Sequence, residues 1–237
     1  MRLYFNGCSH TFGDDLINCN QAWPSLIAKK LQCDFVNDSV SGGTNDRIVY
    51  RTIKHANEFD CFYIAWTYTT RFTQYRSDNN HDVNFNPQLA HSLYGNHSEF
   101  KDYGKLHYAF WNNELYNFKL WLQNIVLLQR YLDSINKPYV MLNADHNCID
   151  RWSTDWHLFN SSVQSLLCFD IMDDETLHNE HLEIQTLLKQ IDTSNYIDWD
   201  SWWITKLHRD HPVGPTGHLL ENGHIAVANK ILEHDSN

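Results

Sequence analysis

The sequence has little positive charge. Lys and Arg number 18 against 29 Asp and Glu in 237 residues, and the formal net charge at pH 7 is −11. No cluster of basic residues interrupts this acidic excess. Nucleic acids and anionic membranes are bound by basic surfaces, because the phosphates must be neutralised. The composition therefore predicts a protein that binds neither nucleic acid nor a membrane surface.

Long apolar runs and paired cysteines are also missing. No segment is apolar over the length that a membrane span requires, and the N-terminus lacks the order of a signal peptide. These absences predict a cytoplasmic protein. The cysteines include no Cys-x-x-Cys pair, and we expect all six to be free thiols. They are Cys8, Cys19, Cys33, Cys61, Cys148 and Cys168.

Metal and nucleotide motifs are absent from the chain. It contains no HExxH pattern and no glycine-rich loop of the GxxxxGK[ST] or GxGxxG type. His178 and His181 lie three residues apart on a predicted helix, a spacing that more often marks an exposed helical face than a ligand pair. We therefore expect neither a metal ion nor a cofactor.

The chain does contain alternating strand-like and helix-like segments. Apolar runs predict strands at 1–6, 34–37, 59–66, 137–143 and 196–199, and helical spacing predicts helices at 23–31, from 46 onward, at 112–135, within 161–190 and at 222–232. Repeated alternation predicts an α/β fold with a parallel sheet covered by helices on both faces. The length fits a single domain, 1–237, with a long irregular insertion at about 67–110.

Short polar loops follow the predicted strands. GCSHTFG follows the first strand, SGGTND the second, WTYTTR the third and NADHN a later one. Binding sites of parallel α/β sheets lie at the carboxyl ends of the strands. The loops therefore predict a functional site at one edge of the sheet.

Three blocks, GCSHTFG, SVSGGTND and GHLLENGHIAVANKI, resemble in their order the SGNH hydrolases, also called GDSL esterases. The resemblance implies a three-layer α/β/α fold with a mostly parallel, flavodoxin-like central sheet. It also implies a nucleophilic serine just after the first strand, which is Ser9 here. The backbone N–H of Ser9 would serve the oxyanion hole as well, and Cys8 stands where the family usually has Asp.

The resemblance places the other oxyanion donors in SVSGGTND and in the loop after the third strand. Gly42 would supply a second backbone N–H. Asn45 would either cap the helix that follows or point its amide into the site. The loop after the third strand, WTYTTR, lacks the Asn that the family has there, so Thr67 or Thr69 would donate a hydroxyl instead, or Asn45 would take that role. Arg71 would bind an anionic substrate group or lie solvated on the surface.

The general base is expected near the C-terminus. His218 precedes Gly223 and His224 at the spacing of the family's HPxxxGH pattern, and we take it as the base, with His211 as the alternative. His224 would then belong to the start of the last helix and have a structural role.

The acid that orients this base is less well marked, because Pro215 occupies the position three residues before His218. Asp210 is the candidate acid if the turn folds back, and Asp198, Asp200 or a backbone carbonyl are alternatives. An orienting acid fixes the histidine tautomer, so its loss lowers the rate without changing the reaction.

Together these features predict a serine hydrolase that cleaves an ester, with a short acyl or acetyl group as the expected acyl part. The substrate would be a small-molecule or carbohydrate ester. Two other functions remain open: acyl transfer to a hydroxyl acceptor on the same scaffold, and a catalytically degenerate module that binds a carbohydrate or a protein. The sequence does not predict the oligomeric state.

Overall fold

The computed structural model describes residues 1–75, 82–85, 113–146, 149, 155, 156, 159 and 174–235. Its strands are β1 (Arg2–Asn6), β2 (Asp34–Asn37), β3 (Cys61–Trp66), β4 (Phe72–Tyr75), β5 (Asp82–Phe85) and β6 (Tyr139–Asn143). Four of them form a parallel sheet in the order β2-β1-β3-β6, and β4 and β5 form a separate antiparallel pair. This strand order is flavodoxin-like. All four strands are parallel, and the order in which they follow one another across the sheet reverses between β1 and β3.

Five of the helices described agree with the predicted segments, and the short helix Ser9–Phe12 was not predicted. They are α1 (Ser9–Phe12), α2 (Trp23–Leu31), α3 (Asn45–His55), α4 (Glu114–Ser134), α5 (Asp174–Leu188) and α6 (Glu221–Asp235), with short 3₁₀ segments at Cys19–Gln21, Ala56–Glu58 and Ile204–Arg209. Of the helix predicted within 161–190, the part before 174 lies outside the described residues. None of the helices described combines the length and apolar character needed to cross a membrane.

Two apolar clusters lie on opposite faces of the sheet. Successive strand residues point to opposite faces, so Leu3 and Phe5 pack with α2 and α6, whereas Tyr4 packs with α3, α4 and α5. Trp23 and Trp121 are fully buried, one on each face. Burial on both faces explains why β3 reads as a continuous apolar run. The predicted three-layer α/β/α fold is confirmed.

The predicted strand at 196–199 is wrong. Tyr196 forms only an isolated parallel bridge with Met141, beyond β6. Asp198 then adopts a left-handed φ of 38° and begins a turn, which ends any extended pairing.

Parts of two predictions fall outside the described residues. Of the irregular insertion predicted at 67–110, the structure describes the loop after β3 and the pair β4–β5, while residues 76–81 and 86–112 lie outside the described part. Cys8, Cys19, Cys33 and Cys61 are free thiols as expected, whereas Cys148 and Cys168 also lie outside it.

Candidate active site

Ser9 begins α1 in the tight turn that follows β1. The turn requires Gly7, because a Cβ there would lie 2.3 Å from Thr11 Oγ1 and 3.1 Å from Ala65 O. Ser9 is 4% exposed, and no hydrogen bond between described residues uses its hydroxyl. The helix ends at Gly13, whose φ of 95° turns the chain toward Asp15. Ser9 therefore lies at the carboxyl end of β1, beside the point between β1 and β3 at which the strand order reverses.

Asp15 is the carboxylate that lies beside His218. The distance from Asp15 Oδ2 to His218 Nδ1 is 3.5 Å. The same oxygen accepts hydrogen bonds from the backbone N–H of Thr216 (3.0 Å), from the Thr216 hydroxyl (2.8 Å) and from the backbone N–H of His218 (3.2 Å). Burial raises the pKa of Asp15, but these hydrogen bonds and the nearby imidazole outweigh burial and lower the pKa. Asp15 is therefore ionised at neutral pH.

The hydroxyl of Thr216 defines the tautomer of His218. It lies 2.8 Å from Asp15 Oδ2 and 2.8 Å from His218 Nδ1. An ionised carboxylate only accepts hydrogen bonds, so the single hydroxyl proton points to Asp15. The hydroxyl oxygen must then accept from Nδ1–H of His218. Nε2 of the neutral ring is therefore left as a base.

The conformation of the loop around Asp15 brings its carboxylate close to the imidazole of His218. Asp15 itself has a φ of 69°, in the left-handed region that non-glycine residues rarely occupy. A Cβ on Gly214 would lie 2.4 Å from the Cβ of Asp15. The Gly214 N–H donates to His218 O at 2.8 Å and closes the turn that carries the imidazole. Backbone strain and close packing thus both serve the Asp15–His218 contact.

Three histidine rings meet next to Ser9. The ring of His10 lies 4.8 Å from that of His218 and 5.7 Å from that of His208, measured between centroids. Burial, followed by the proximity of His218 and His208, lowers the pKa of His10 well below its usual value, and burial also lowers the pKa of His208. His10 is therefore neutral and connects the Ser9 turn to the His218 loop.

The structure separates the other acid and base candidates from His218. Asp210 is exposed and ends the 3₁₀ segment, and none of the contacts in the described residues joins it to His218. Asp198 pairs with Lys230 at 2.6 Å, and Asp200 is exposed. His211 has no side-chain hydrogen bond to another described residue.

His224 has a structural position, as expected for a residue at the start of α6. Its Nδ1 accepts a hydrogen bond from the backbone N–H of Trp23, at 3.2 Å, and so satisfies one of the free N–H groups at the start of α2. Burial, together with a smaller effect of the nearby His218, lowers the pKa of His224 to about 4. His224 therefore stays neutral and joins the C-terminal helix to α2.

The loop after β2 carries the predicted oxyanion donor Gly42. Its φ of 70° suits glycine, and its N–H makes no hydrogen bond to another described residue. Gly43 packs directly on the Ser9 turn, since a Cβ there would lie 2.7 Å from Gly7 O and 3.3 Å from Cys8 Cα. The structure thus places the first and second blocks against each other.

Asn45 neither caps α3 nor has a free amide. The N-cap is Thr44, whose hydroxyl accepts from Arg47 N–H. Asn45 Oδ1 accepts from Thr67 N–H at 2.9 Å, and its Nδ2 donates to Thr67 O at 3.2 Å and to Tyr68 O at 3.4 Å. Asn45 therefore braces the loop after β3 against the start of α3.

Thr67 and Arg71 face each other in the loop after β3. Arg71 Nη1 donates to Thr67 Oγ1 at 2.9 Å and lies 3.4 Å from Gly43 O. The guanidinium stacks over the Tyr68 ring at 4.5 Å from its centroid. Arg71 is 7% exposed, so the alternative that it lies solvated on the surface is wrong.

The sequence also matches one family model, described as a family of unknown function (DUF6071), over residues 13–159. The chain belongs to this family. The matched segment includes Asp15, the loops with Gly42 and Arg71, and α4, but it begins after Ser9 and ends before His218. The description of DUF6071 carries no activity, and the comparison with curated proteins gives no match.

Solved structures with a similar fold cover nearly the whole chain. The crystal structure of TesA aligns with a TM-score of 0.50 at 10% identity, over 99% of this chain and 97% of that one. A member of the lipolytic protein G-D-S-L family from Veillonella parvula DSM 2008 gives 0.46 at 12% identity, over 98% and 96%. The psychrotrophic esterase EstA from Pseudoalteromonas sp. gives 0.48 at 9% identity, over 99% and 96%. At such identities the likeness shows the fold alone.

Asp15 is the site residue that the motif spacing missed. It lies six residues after Ser9 and 203 residues before His218. The available signal was local: Asp14 and Asp15 directly follow Gly13, a glycine suited to turning the chain back toward the end of β1.

Proposed function

We propose that this chain is a serine hydrolase of the SGNH type that cleaves an ester, with Ser9 as nucleophile, His218 as general base and Asp15 as the acid that orients it. The observation that carries the proposal is the Asp15–Thr216–His218 array, beside the Ser9 turn at the carboxyl edge of the sheet. Asp15 takes the role that the sequence suggested for Asp210.

The proposed reaction follows from the tautomer of His218. Ser9 Oγ attacks the ester carbonyl while His218 Nε2 accepts its proton, and the ionised Asp15 stabilises the imidazolium through Thr216. The N–H groups of Ser9 and Gly42 donate to the oxyanion of the tetrahedral intermediate. His218 returns the proton to the leaving alkoxide, which departs as an alcohol. Water, deprotonated by His218, then releases the acyl group as an acid and restores Ser9.

The expected acyl group is short, as in an acetyl ester of a small molecule or a carbohydrate. The resemblance to the GDSL esterases supports this choice, and the small exposure of Ser9 favours a compact acyl group. The acidic net charge supports a substrate other than nucleic acid.

A panel of p-nitrophenyl esters, from acetyl to octanoyl, tests the function. We expect hydrolysis of the short esters to fall by at least about 100-fold in Ser9→Ala and in His218→Gln. His211→Gln is the matched control for the base and should stay close to wild type. Wild-type turnover in Ser9→Ala would contradict the nucleophile, and cleavage restricted to the octanoyl ester would contradict the short acyl group.

A further inference from the structure

Arg71 is a buried cation that has no carboxylate partner among the described residues. No ion pair joins its guanidinium to an Asp or Glu among the residues that the structure describes. Its hydrogen bonds use only Nη1, which donates to Thr67 Oγ1 and Gly43 O. Nε is buried and has no hydrogen-bond partner in the described part of the chain.

An unpaired guanidinium in a buried position is costly for the fold. Removing a charge from water is compensated in proteins by an opposite charge or by a full set of hydrogen bonds. Stacking on Tyr68 and the two Nη1 contacts hold the plane of the Arg71 guanidinium, but they do not neutralise its charge. The Nε and Nη2 edge is one that arginine uses to bind a carboxylate with two parallel hydrogen bonds.

The position of Arg71 connects its guanidinium to the candidate active site. Its partner Gly43 packs on Gly7 and Cys8, directly before Ser9. The charge of Arg71 is also near enough to His10 to contribute to lowering the pKa of that ring, after the larger effects of burial and of the other two histidines. Arg71 therefore lies within electrostatic reach of the residues around the nucleophile.

Arg71 also lines a cavity of about 40 Å³. This volume is about three times the 10–15 Å³ or so that one water needs. Asn45, Asn117 and Asn124 line the same cavity. The single carboxyl among the described lining residues, Asp46, accepts a hydrogen bond from Asn124 and forms no described ion pair with Arg71.

We propose that Arg71 binds a carboxylate of the substrate, so that the ester cleaved at Ser9 carries a negative charge elsewhere in the molecule. That the bound anion is part of a substrate rests on the proposed function. The anion site itself rests only on the position of Arg71. The protein has a net charge of −11 and so repels anions in general. A buried arginine would attract an anion at one position only, and it would therefore make binding selective.

A binding experiment tests the anion site without any turnover. The side-chain Nε–H signal of Arg71 is followed by nitrogen–proton NMR in the folded Ser9→Ala protein, during titration with acetate at constant ionic strength. We expect a saturable shift with a Kd on the order of 1–10 mM, and comparison with Arg71→Lys assigns the signal. Arg130→Gln, a change on an exposed face of α4, is the matched control and should leave the shift unchanged.

Two results of the titration would overturn the proposal. Absence of a saturable shift would remove the anion site. Saturation by inorganic phosphate but not by acetate would replace the carboxylate with a phosphate group. The titration is made on the Ser9→Ala protein with Arg71 intact, so only the assignment of the signal requires the Arg71→Lys protein to fold.

A kinetic comparison then tests whether the substrate carries a carboxylate, independently of whether the protein hydrolyses esters. The acetyl ester of lactate carries a carboxylate, and the acetyl ester of lactamide is its neutral counterpart. We expect Arg71→Gln and Arg71→Lys to lower kcat/KM by about 10- to 100-fold for the lactate ester and by less than about 3-fold for the lactamide ester. Equal losses for both esters would overturn the carboxylate proposal while ester hydrolysis stands. Acetate binding at Arg71 without hydrolysis of either ester would instead overturn the function and leave the anion site in place.

Discussion

At the scale of single residues, the proposed chemistry depends on the carboxylate of Asp15. One oxygen of this side chain accepts two backbone N–H groups and the Thr216 hydroxyl, and it lies 3.5 Å from His218 Nδ1. Hydrogen bonds to a charged group are stronger than neutral ones. These hydrogen bonds therefore fix the orientation of the His218 imidazole and stabilise the ionised form of Asp15.

Asp15→Asn tests the orienting role. The amide removes the negative charge and offers a donor where Oδ2 accepted, so His218 loses the partner that stabilises its protonated form. We expect kcat to fall by at least about 100-fold while KM changes much less. Steady-state kinetics with a short ester measures both constants.

Asp210→Asn is the matched control, because it makes the same chemical change at an exposed carboxyl. It should leave kcat within about 2-fold of wild type, as surface changes usually do. A larger loss in Asp210→Asn than in Asp15→Asn would reassign the acid to the residue that the sequence suggested.

His224 makes the stability of the fold depend on pH. Its pKa is about 4 when folded and near 6.5 when unfolded. The unfolded chain therefore takes up a proton first as the pH falls, and stability is lost below pH 6.5. The expected loss from this residue between pH 7.5 and 4.5 is about 2–3 kcal/mol.

His224→Gln should flatten this dependence, since the glutamine oxygen can still accept from Trp23 N–H but does not titrate in this range. Urea unfolding at pH 7.5 and 4.5 measures the difference, with His211→Gln as the control. Equal losses of stability in His224→Gln and wild type would contradict the assignment.

At the scale of the elements, three loops at the carboxyl edge of the sheet brace one another. Gly43 packs on the turn before Ser9, and Asn45 joins the start of α3 to the loop after β3 by three hydrogen bonds. The positions of the four strands of the parallel sheet and of the five longer helices could be predicted because their apolar patterns are local. The role of Asn45 could not, because its partners, the backbone groups of Thr67 and Tyr68, become neighbours only when β1 and β3 pair.

Asn45→Asp tests this brace. The aspartate keeps an acceptor for Thr67 N–H, but it loses both donated hydrogen bonds and places a charge in a buried position. We expect the free energy of unfolding to fall by at least about 2 kcal/mol. Urea unfolding measures the change, and Asn20→Asp, at an exposed side chain, should have almost no effect. Equal effects of the two substitutions would show that the brace contributes little.

At the scale of the whole molecule, we propose that residues 1–237 form one domain. Helix α6 packs in the same apolar cluster as α2 and the strands, with Val227 and Ile231 fully buried. Near its end, Asp235 accepts a hydrogen bond at 2.7 Å from the hydroxyl of Tyr63 in β3. The C-terminal helix is therefore part of the core.

Removal of residues 221–237 should consequently unfold the chain rather than only inactivate it. The loss of several fully buried side chains exceeds the usual stability of a domain of this kind. Circular dichroism during urea titration should show no cooperative transition for the shortened chain. A cooperative transition would contradict the single-domain proposal.

The sequence also predicted the α/β layers, the sheet edge that carries the polar loops, and Ser9 and His218 as candidates. Asp15 could not be predicted from the sequence, and the reason is physical. Motif spacing connects residues that are close in the chain, whereas Asp15 reaches His218 across 203 residues through a strained turn and a glycine, Gly214, that makes room for it.

The most direct test of the central claim is labelling with a fluorophosphonate, read by intact mass and peptide mapping. The reagent reacts with a serine only when a neighbouring base activates it. We predict a single adduct on Ser9 that is absent in Ser9→Ala, slowed by at least about 100-fold in His218→Gln and unchanged in His211→Gln. A folded wild-type protein that stays unlabelled, or an adduct that persists in Ser9→Ala, would contradict the account.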